Sequence, residues 1–378
     1  MAMTPRVERV EAWRLDLPIR VPYKVSSRTF TAFDPILARV TLSDGRVGYG
    51  EAIISPGYGH EMPETGWEVV RSLAATLRGM TTEEASTRLL TFLPGDAHAV
   101  TVLASAIDMA LGHPALCARA ERRVPLLAPV NATGGAALER EIEALVTEGF
   151  STLKVKVGFD AGEDAARVQA IQRLLGRRAT IRLDANQGFA RADGIRFAAG
   201  LDPEGIELFE QPCDMSDWAA NAAVALASAV PVMLDESIYD VADIYRAGTL
   251  PGVGYVKVKL KKFGTLDGLA EAGRAAREAG LRLVLGDGVA TEIICWMEAA
   301  AASGLIDNAG EMNGYLKLSR PLLRNPPPFE RGELVIPAGY WPEVDEAVLR
   351  GSASARFDTA RLNHPLGCQT GKTLSEDT

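Results

Sequence analysis

The chain has 378 residues, which is enough for one barrel domain and a second, smaller domain. Its formal charge of −9 and its pI near 5.2 argue against a broad basic surface, so neither nucleic acid nor an anionic membrane is an expected partner. No run of about 18 apolar residues marks a membrane span, no signal-peptide core opens the chain and no Cys-x-x-Cys pair suggests zinc, so we expect a cytoplasmic protein.

The first part of the chain predicts a small α+β domain over residues 1–123. Residues 7–18 and 34–51 are predicted strands of an antiparallel sheet, with a turn at Ser43-Asp44-Gly45. Residues 18–28 are rich in Pro, Ser and Arg and follow neither the strand nor the helix period, so we expect a loop. Helices are predicted at 63–80, 82–93 and 98–116.

Strands and helices alternate from residue 124 to residue 328, which predicts a catalytic barrel of parallel strands. A first strand is expected over 124–130, a seventh at 281–285 and a weaker eighth at 305–307 that runs into 309–314. Residues 329–364 are expected to pack back on the first domain, and the polar residues 365–378 to form a C-terminal tail.

Five successive strand-like runs of this barrel end in charged residues. The charges recur every 24 to 28 residues, the length of one strand, one helix and two short loops. Because the C-terminal ends of barrel strands converge on one mouth, these charges are predicted to meet there. The runs are Thr152–Val157, Ile181–Asp184, Ile206–Glu210, Pro231–Asp235 and Tyr255–Lys259.

Three of these strand ends carry acids, namely Asp184, Glu210 and Asp235. Carboxylate oxygens suit a hard divalent ion, and Mg²⁺ keeps some of its positions for water or substrate. Taken singly, each acid could also be a helix N-cap. Their occurrence on three successive strands predicts a shared metal site.

The two flanking strands carry Lys-x-Lys pairs, Lys154 with Lys156 and Lys257 with Lys259. Residues two apart on a strand project from the same face, so the amines of a pair repel each other, and this favours the neutral amine that a general base requires. Such a pair is also common on an exposed edge strand, but a strand inside a parallel barrel is buried on both faces. We therefore expect Lys156 and Lys259 to face each other across the metal.

A metal between two amines suits abstraction of the proton alpha to a carboxylate, because the metal stabilises the charge that builds up on the enediolate oxygens. Racemisation, epimerisation, dehydration and cycloisomerisation all share this first step. The sequence therefore predicts this class of reaction on a small carboxylate substrate.

These motifs make the sequence resemble the mandelate racemase/muconate lactonizing branch of the enolase superfamily. The resemblance implies a modified (β/α)7β TIM-like barrel, an N-terminal α+β capping domain, Mg²⁺ and frequently a homo-oligomer. It implies Lys156 and Lys259 as the acid/base pair, Lys154 as the residue that tunes Lys156, and the three acids as metal ligands. No histidine stands at a strand end, which disfavours the Lys/His types of the branch. The matching segments are Lys154-Val-Lys156, Asp184-Ala-Asn186, Glu210-Gln-Pro212, Asp235-Glu-Ser237 and Phe263-Gly-Thr-Leu266.

Departures from the family pattern bear on the substrate. The Asp-x-Asp that resembles an ammonium clamp of dipeptide epimerases is absent, which disfavours dipeptides. Asp287 or Glu311 could instead meet a substrate ammonium, although Asp287 could equally cap the following helix. Further predicted substrate contacts are Asn186 and, in the first domain, Arg20, Tyr23, Ser26 and His60.

The leading hypothesis is therefore racemisation or epimerisation of an amino-acid or proline-type derivative by a Lys/Lys enzyme. Dehydration of a hydroxy-imino acid, as in cis-3-hydroxyproline dehydratases, and cycloisomerisation of a muconate-like diacid remain alternatives. A catalytically silent binding protein is disfavoured, because a binder has little use for two buried amines.

Overall fold

A computed structural model describes residues 4–24, 29–56 and 60–362 of the chain. Ser26 and the expected tail at 365–378 lie outside these residues. The strands are β1 (Val7–Leu15), β2 (Leu17–Lys24), β3 (Thr29–Phe33), β4 (Ile36–Leu42), β5 (Val47–Ala52), β6 (Arg122–Pro125), β7 (Ala128–Val130), β8 (Thr152–Lys156), β9 (Thr180–Asp184), β10 (Ile206–Glu210), β11 (Val232–Leu234), β12 (Val253–Val258), β13 (Arg282–Leu285), β14 (Phe329–Glu330), β15 (Glu333–Ile336) and β16 (Ala353–Asp358).

The predicted helices of the first 123 residues are present, and further helices follow later in the chain. In the first 123 residues they are α1 (Pro63–Leu77), α2 (Thr82–Leu90) and α3 (Ala97–Leu111). Later in the chain they are α4 (Gly135–Glu148), α5 (Ala161–Leu175), α6 (Arg191–Ala199), α7 (Trp218–Ala227), α8 (Val241–Gly248), α9 (Leu260–Phe263), α10 (Leu266–Glu278), α11 (Glu292–Ala302) and α12 (Glu346–Gly351). Among the described residues, none of these helices combines the length and the apolarity that crossing a membrane requires.

The N-terminal part is a strand-rich cap. Its four-stranded sheet has the order β16-β1-β4-β5, and the described pairings are antiparallel, so the C-terminal strand closes on the first strand. Helix α3 packs on this sheet through an almost entirely apolar surface. The expected loop at 18–28 is wrong for residues 18–24, which belong to β2 and pair with β3 as a two-stranded ribbon. Pro18 and Pro22 are compatible with such a ribbon because its outer edges need no backbone donor.

A curled parallel sheet of seven strands, in the order β7 to β13, forms most of the barrel. The eighth strand, expected to run from 305–307 into 309–314, starts later than predicted, because residues 310–311 fill that position. Gly310 N donates to Pro125 O at 2.8 Å, and Glu311 N donates to Leu285 O at 2.9 Å. Gly286 permits this closure, because a Cβ there would lie 2.7 Å from Met312 N. The predicted fold class, an α/β barrel with a capping domain, is confirmed.

The segment 124–130, expected to be one strand, is divided in two. Strand β6 pairs antiparallel with β15 in a small separate sheet, and only β7 joins the barrel. The barrel strands are buried on both faces, as is typical of parallel sheets flanked by helices. Polar side chains that they carry therefore reach water only at the strand ends.

Candidate active site

A cavity opens at the C-terminal ends of the barrel strands, beneath residues of the cap. It contains about 600 Å³ of space between protein atoms, including the part open to solvent. Tyr23 and Phe30 come from the β2–β3 ribbon and Ser55 follows β5, so the cap contributes one wall. The other lining residues belong to the barrel: Lys154, Lys156, Asp184, Asn186, Gln187, Asp235, Glu236, Lys257, Lys259, Lys261, Asp287, Gly288, Val289 and Glu311.

Five neighbouring strand ends present the charges that the sequence predicted. Their order along the sheet is Lys156, Asp184, Glu210, Asp235 and Lys259, so the acids lie between the two amines. Lys156 Nζ lies 2.6 Å from Asp184 Oδ2, and Lys259 Nζ lies 3.0 Å from Asp235 Oδ2. Both lysines line the same cavity. The arrangement therefore places an amine on each side of a row of carboxylates.

Lys154 projects into the middle of this row. Its Nζ lies 2.9 Å from oxygens of Asp184, Glu210 and Glu311. Burial alone would lower the pKa of Lys154, but the charges of Asp184 and Glu210 outweigh burial and hold that pKa well above its ordinary value. Conversely, the charges of Lys154 and Lys156 outweigh the effect of burial on Asp184 and lower its pKa.

Lys257, the inner member of the second pair, is 1% exposed and is shared between two acids. Its Nζ lies 3.2 Å from Glu210 Oε1 and also contacts Glu311 Oε2. Burial, reinforced by the neighbouring Lys154 and Lys259 charges, lowers the pKa of Lys257 to about 7. Burial is the main cause here, and the lysine repulsion predicted for the Lys-x-Lys pattern contributes only at this inner residue, since the pKa of the outer Lys259 is raised.

Asp235 is held by two lysines. Lys262 Nζ donates to Asp235 O at 2.6 Å and lies 3.1 Å from Asp235 Oδ1, opposite the contact with Lys259. Burial lowers the pKa of Lys259, but Asp235 and Asp287 outweigh burial and raise it overall. Lys262 lies on α9, which begins directly after Lys259 and turns the chain so that further lysines face inward.

Asn186 connects the first lysine with the acid cluster. Lys156 Nζ donates to Asn186 Oδ1 at 2.5 Å, and Asn186 Nδ2 donates to Glu236 Oε1 at 3.0 Å. Asn186 and Gln187 have φ values of 40° and 69°, a left-handed conformation that is uncommon outside glycine and that asparagine tolerates best. Strained backbone of this kind clusters at functional sites, which fits the position of Asn186 at the cavity wall.

Asp287 is part of a buried ion pair on the seventh strand's loop. Lys261 Nζ lies 2.6 Å from Asp287 Oδ2, and Val289 N donates to Asp287 Oδ1 at 3.0 Å. Behind this pair, Glu298 accepts from Leu260 N at 2.8 Å and from Asp287 N at 3.0 Å. Burial, with a smaller contribution from the charge of Asp287, raises the pKa of Glu298 to about 8. Glu298 therefore ties the Lys259 strand end to the Asp287 loop.

The residues of the cavity fit a hard divalent cation. Within the described ranges, no three His, Cys, Asp or Glu side chains approach closely enough to form a ready-made metal site, because lysine ammoniums separate them. The Lys154 ammonium is itself a cation lying between Asp184 and Glu210. Glu236 Oε2 is buried without a hydrogen bond, and burial with the charges of Asp235 and Asp184 raises the pKa of Glu236 to about 7. Such crowded oxygen donors suit Mg²⁺.

The structure brings most, but not all, of the predicted substrate contacts together. Tyr23, Asn186, Asp287 and Glu311 line the cavity. Arg20 is exposed, and its Nε donates to Leu318 O at 3.0 Å, which anchors β2 to the barrel away from the cavity lining. The other residues predicted in the cap also have no established place in the lining: His60 is exposed beside Tyr239, and Ser26 lies outside the described residues.

Several cavity residues were not predicted as site residues. Glu236, Lys257, Lys261 and Gln187 line the cavity, and Lys262 contacts Asp235 from behind. The scarcity of lysine in the sequence could have indicated these lysines. The chain has only nine lysines, and seven of them lie at this cavity. Arginine supplies most of the other positive charge of the chain.

The chain is similar to several known proteins in sequence and in fold. A family model described as enolase C-terminal domain-like matches residues 137–340. A hydrophobic dipeptide epimerase of Citrifermentans bemidjiense is 30% identical over 309 residues, covering 76% of this chain and 83% of the relative. Muconate cycloisomerase 1 of Pseudomonas putida is 29% identical over 358 residues, covering 88% of this chain and 93% of the relative. The crystal structure of a muconate lactonizing enzyme from Pseudomonas fluorescens matches with a TM-score of 0.84 and 25% identity, covering 93% of this chain and 100% of that chain.

Proposed function

Because the chain belongs to the enolase C-terminal domain-like family and is an enzyme of the enolase superfamily, we propose that it is a Mg²⁺-dependent racemase or epimerase. The reaction begins with abstraction of the proton alpha to a carboxylate. The observation that carries the proposal is the position of Lys156 and Lys259, which line one cavity with Asp184 and Asp235 between them.

The two lysines supply the proton transfers. One amine removes the alpha proton from one face of the substrate, and the other returns a proton to the opposite face, which inverts the carbon. Each lysine is held by a carboxylate, Lys156 at 2.6 Å and Lys259 at 3.0 Å, and these contacts fix the two nitrogens relative to the cavity. The lysine that acts as base must first lose a proton to solvent or to a neighbouring group.

Asp184, Glu210 and Asp235 would hold the Mg²⁺ ion, at the position where the Lys154 ammonium now lies between Asp184 and Glu210. When bound, Mg²⁺ supplies positive charge that stabilises the substrate carboxylate as it gains electron density. Asn186 and Glu236 lie beside this group and position Lys156 and the cluster through hydrogen bonds of 2.5 Å and 3.0 Å.

The cavity favours a substrate whose nitrogen carries no charge. The two acids that could meet a substrate ammonium already have partners, since Asp287 is paired with Lys261, and Glu311 with Lys154 and Lys257. An ammonium group would have to displace these lysines, which costs free energy because buried charges need partners. This favours an acylated amino acid over a free amino acid, a betaine or a dipeptide with a free N-terminus.

Cycloisomerisation of a muconate-like diacid is the second candidate. The observation that favours it is the same pairing of Asp287 and Glu311, because a diacid needs no ammonium partner. Muconate cycloisomerase 1 of Pseudomonas putida is also among the relatives. The two candidates differ in substrate and outcome but share the lysine pair.

Deuterium exchange tests the proposal. The protein is incubated in D2O and Mg²⁺ with both enantiomers of N-acyl amino acids, with proline betaine, 3-hydroxyproline and muconate, and label at the alpha carbon is followed by NMR. We expect exchange from both enantiomers of an N-acyl amino acid. Conversion of muconate alone would replace racemisation with cycloisomerisation, and water loss from 3-hydroxyproline would replace it with dehydration.

Removal of divalent ions sharpens this test. Treatment with EDTA is expected to stop exchange, and added Mg²⁺ is expected to restore it, because the alpha proton is too weakly acidic without charge stabilisation. Exchange that continues at full rate in EDTA would contradict the assigned role of Asp184, Glu210 and Asp235. A panel without any exchange or conversion would contradict the proposed reaction class.

A further inference from the structure

The lysines of the cavity differ in whether they have a carboxylate partner. Lys317, on a 3-10 helix at Gly314–Lys317, has no carboxylate oxygen within 4.0 Å among residues 4–24, 29–56 and 60–362. Each of the other cavity lysines has at least one such partner: Lys154, Lys156, Lys257, Lys259, Lys261 and Lys262. Lys317 is therefore the cation whose charge the described acids leave unmatched.

Lys317 lies against the cavity wall. Its Nζ donates to Gly288 O at 2.8 Å and to Asn313 Oδ1 at 2.8 Å, and it lies 4.7 Å from the centre of the Tyr23 ring. Gly288 and Tyr23 both line the cavity, one from the barrel and one from the cap. The side chain is partly exposed, so it is not sealed behind these neighbours.

These contacts compensate the charge only in part. Two neutral acceptors and an aromatic ring stabilise an ammonium less than a carboxylate does. The nearby acid Asp287 is itself paired with Lys261, and the Lys154 and Lys156 charges act against Lys317. Burial is the largest cause that lowers the pKa of Lys317 to about 7, so an anion at this position would also favour its charged form.

The formal charges of the whole cavity point the same way. Five lysines and five carboxylates line the cavity, so a bound divalent cation would leave a positive excess. A substrate with one carboxylate removes only one of these charges. The five carboxylates are Asp184, Asp235, Glu236, Asp287 and Glu311.

We propose that Lys317 binds a second anionic group of the substrate at the wall formed by Gly288 and Tyr23. The substrate is then a dianion, such as an amino acid acylated with a dicarboxylic acid. The inference rests on the proposed function, because it assumes that the first carboxylate lies at the Asp184–Asp235 cluster. It applies equally to a muconate-like diacid, which also carries two carboxylates.

A pair of substrates that differ only in the second charge tests the role of Lys317. N-succinyl-phenylalanine carries the distal carboxylate, and N-succinamoyl-phenylalanine carries a neutral amide of the same shape. We expect wild-type kcat/KM for alpha-deuterium exchange to favour the acid, and Lys317→Met to lower the ratio of the two values by about 10- to 100-fold, as for a lost charged hydrogen bond. N-malonyl and N-glutaryl pairs cover other spacings of the second anion.

Two further variants separate binding from structure. Lys317→Arg keeps the charge and is expected to retain most of the preference, whereas Arg320→Met removes an exposed charge nearby and is expected to leave the ratio unchanged. If Lys317→Met slows exchange of acid and amide equally, Lys317 has only a structural role and the inference is wrong. A wild type without preference for the acid at any spacing would also overturn it.

A binding measurement keeps the inference independent of turnover. Thermal unfolding with N-succinyl-glycine or N-succinamoyl-glycine should show a larger stabilisation of the wild type by the acid, and Lys317→Met should abolish the difference. If this difference appears while no substrate exchanges, the proposed function is wrong and the anion site stands. If exchange occurs but neither the binding nor the kinetic difference depends on Lys317, the anion site is wrong and the proposed function stands.

Discussion

Two clusters of buried acids in this protein are paired with different cations. On the cap sheet, Glu11 accepts from Arg39 at 2.5 Å and from Arg356 at 2.7 Å, and Asp358 accepts from Arg9 at 2.6 Å. At the barrel mouth, the acids are contacted by lysines instead. The cap cluster joins β1, β4 and β16, and the barrel cluster joins the strand ends around the cavity.

The chemistry of the two side chains explains the difference. Arginine stays charged and binds carboxylates through a rigid planar group, which suits a permanent connection between strands. Lysine carries a point charge whose pKa responds to burial, as the pKa of about 7 for Lys257 illustrates. The lysines of the barrel cluster can therefore release and accept protons near neutral pH, whereas the arginines of the cap cluster cannot.

The largest effect on alpha-deuterium exchange should come from replacing a lysine of the barrel cluster with arginine, the cation of the cap cluster. Lys259→Arg keeps a positive charge beside Asp235, but a guanidinium does not lose its proton near neutral pH. We expect alpha-deuterium exchange to fall by about 10²- to 10⁴-fold, as much as for Lys259→Met, because a proton-transfer group is lost. Exchange followed by NMR with saturating Mg²⁺ measures the effect.

The enantiomer that is affected provides the control. Lys156→Met and Lys259→Met should each abolish label uptake from a different enantiomer, because each lysine serves one face of the substrate. Far-UV circular dichroism verifies that the variants are folded. An active Lys259→Arg variant would show that charge alone suffices there, and the contrast between the two clusters would lose its catalytic meaning.

The next effect concerns Glu298, a buried acid that forms no ion pair with a described residue. Its pKa is raised by burial to about 8, so between the unfolded-state value and pH 8 the folded protein binds one proton more than the unfolded chain. Stability should therefore fall as pH rises through this window, by roughly 1 kcal/mol per pH unit. The stability difference between wild type and Glu298→Gln in urea, measured at pH 6 and pH 8, should change accordingly.

The variant isolates Glu298 from other titrating groups. The amide that replaces the carboxyl group in Glu298→Gln cannot ionise, and the remaining residues titrate in both proteins, so their contributions cancel. An equal stability difference between wild type and Glu298→Gln at the two pH values would mean that Glu298 does not change its protonation on folding. A wild type that gains stability relative to the variant as pH rises would reverse the assigned direction of the shift.

Much of the barrel could be predicted because its period is local. One strand, one helix and two loops have a characteristic length, and the acids at 184, 210 and 235 followed that length. The start of the closing strand was placed too early, because Leu305–Asp307 is more apolar than the segment that closes the barrel. Gly310 and Glu311 close it through backbone hydrogen bonds, which do not depend on side-chain pattern.

The site residues at strand ends could be predicted from the sequence, whereas those on the turns that follow the strands could not. Lys156 and Lys259 follow from strand position, but Lys261 and Lys262 face inward because α9 starts directly after the strand. Lys317 lies after the barrel closes, and its contact with Tyr23 depends on how the cap packs. Such contacts are distant in sequence and leave no periodic pattern.

The smallest effect should come from the reverse exchange on the cap sheet. Arg39→Lys keeps the charge next to Glu11 but loses the paired contacts at 2.5 Å and 2.8 Å as well as the hydrogen bond to Glu346. Because Arg39 is partly exposed, we expect a loss of only about 1 kcal/mol in the free energy of unfolding, measured from the urea midpoint. Alpha-deuterium exchange should not change, since no cap arginine transfers a proton. A strong loss of exchange in folded Arg39→Lys would show that the cap cluster also acts on the cavity, and that the two clusters are not separate in function.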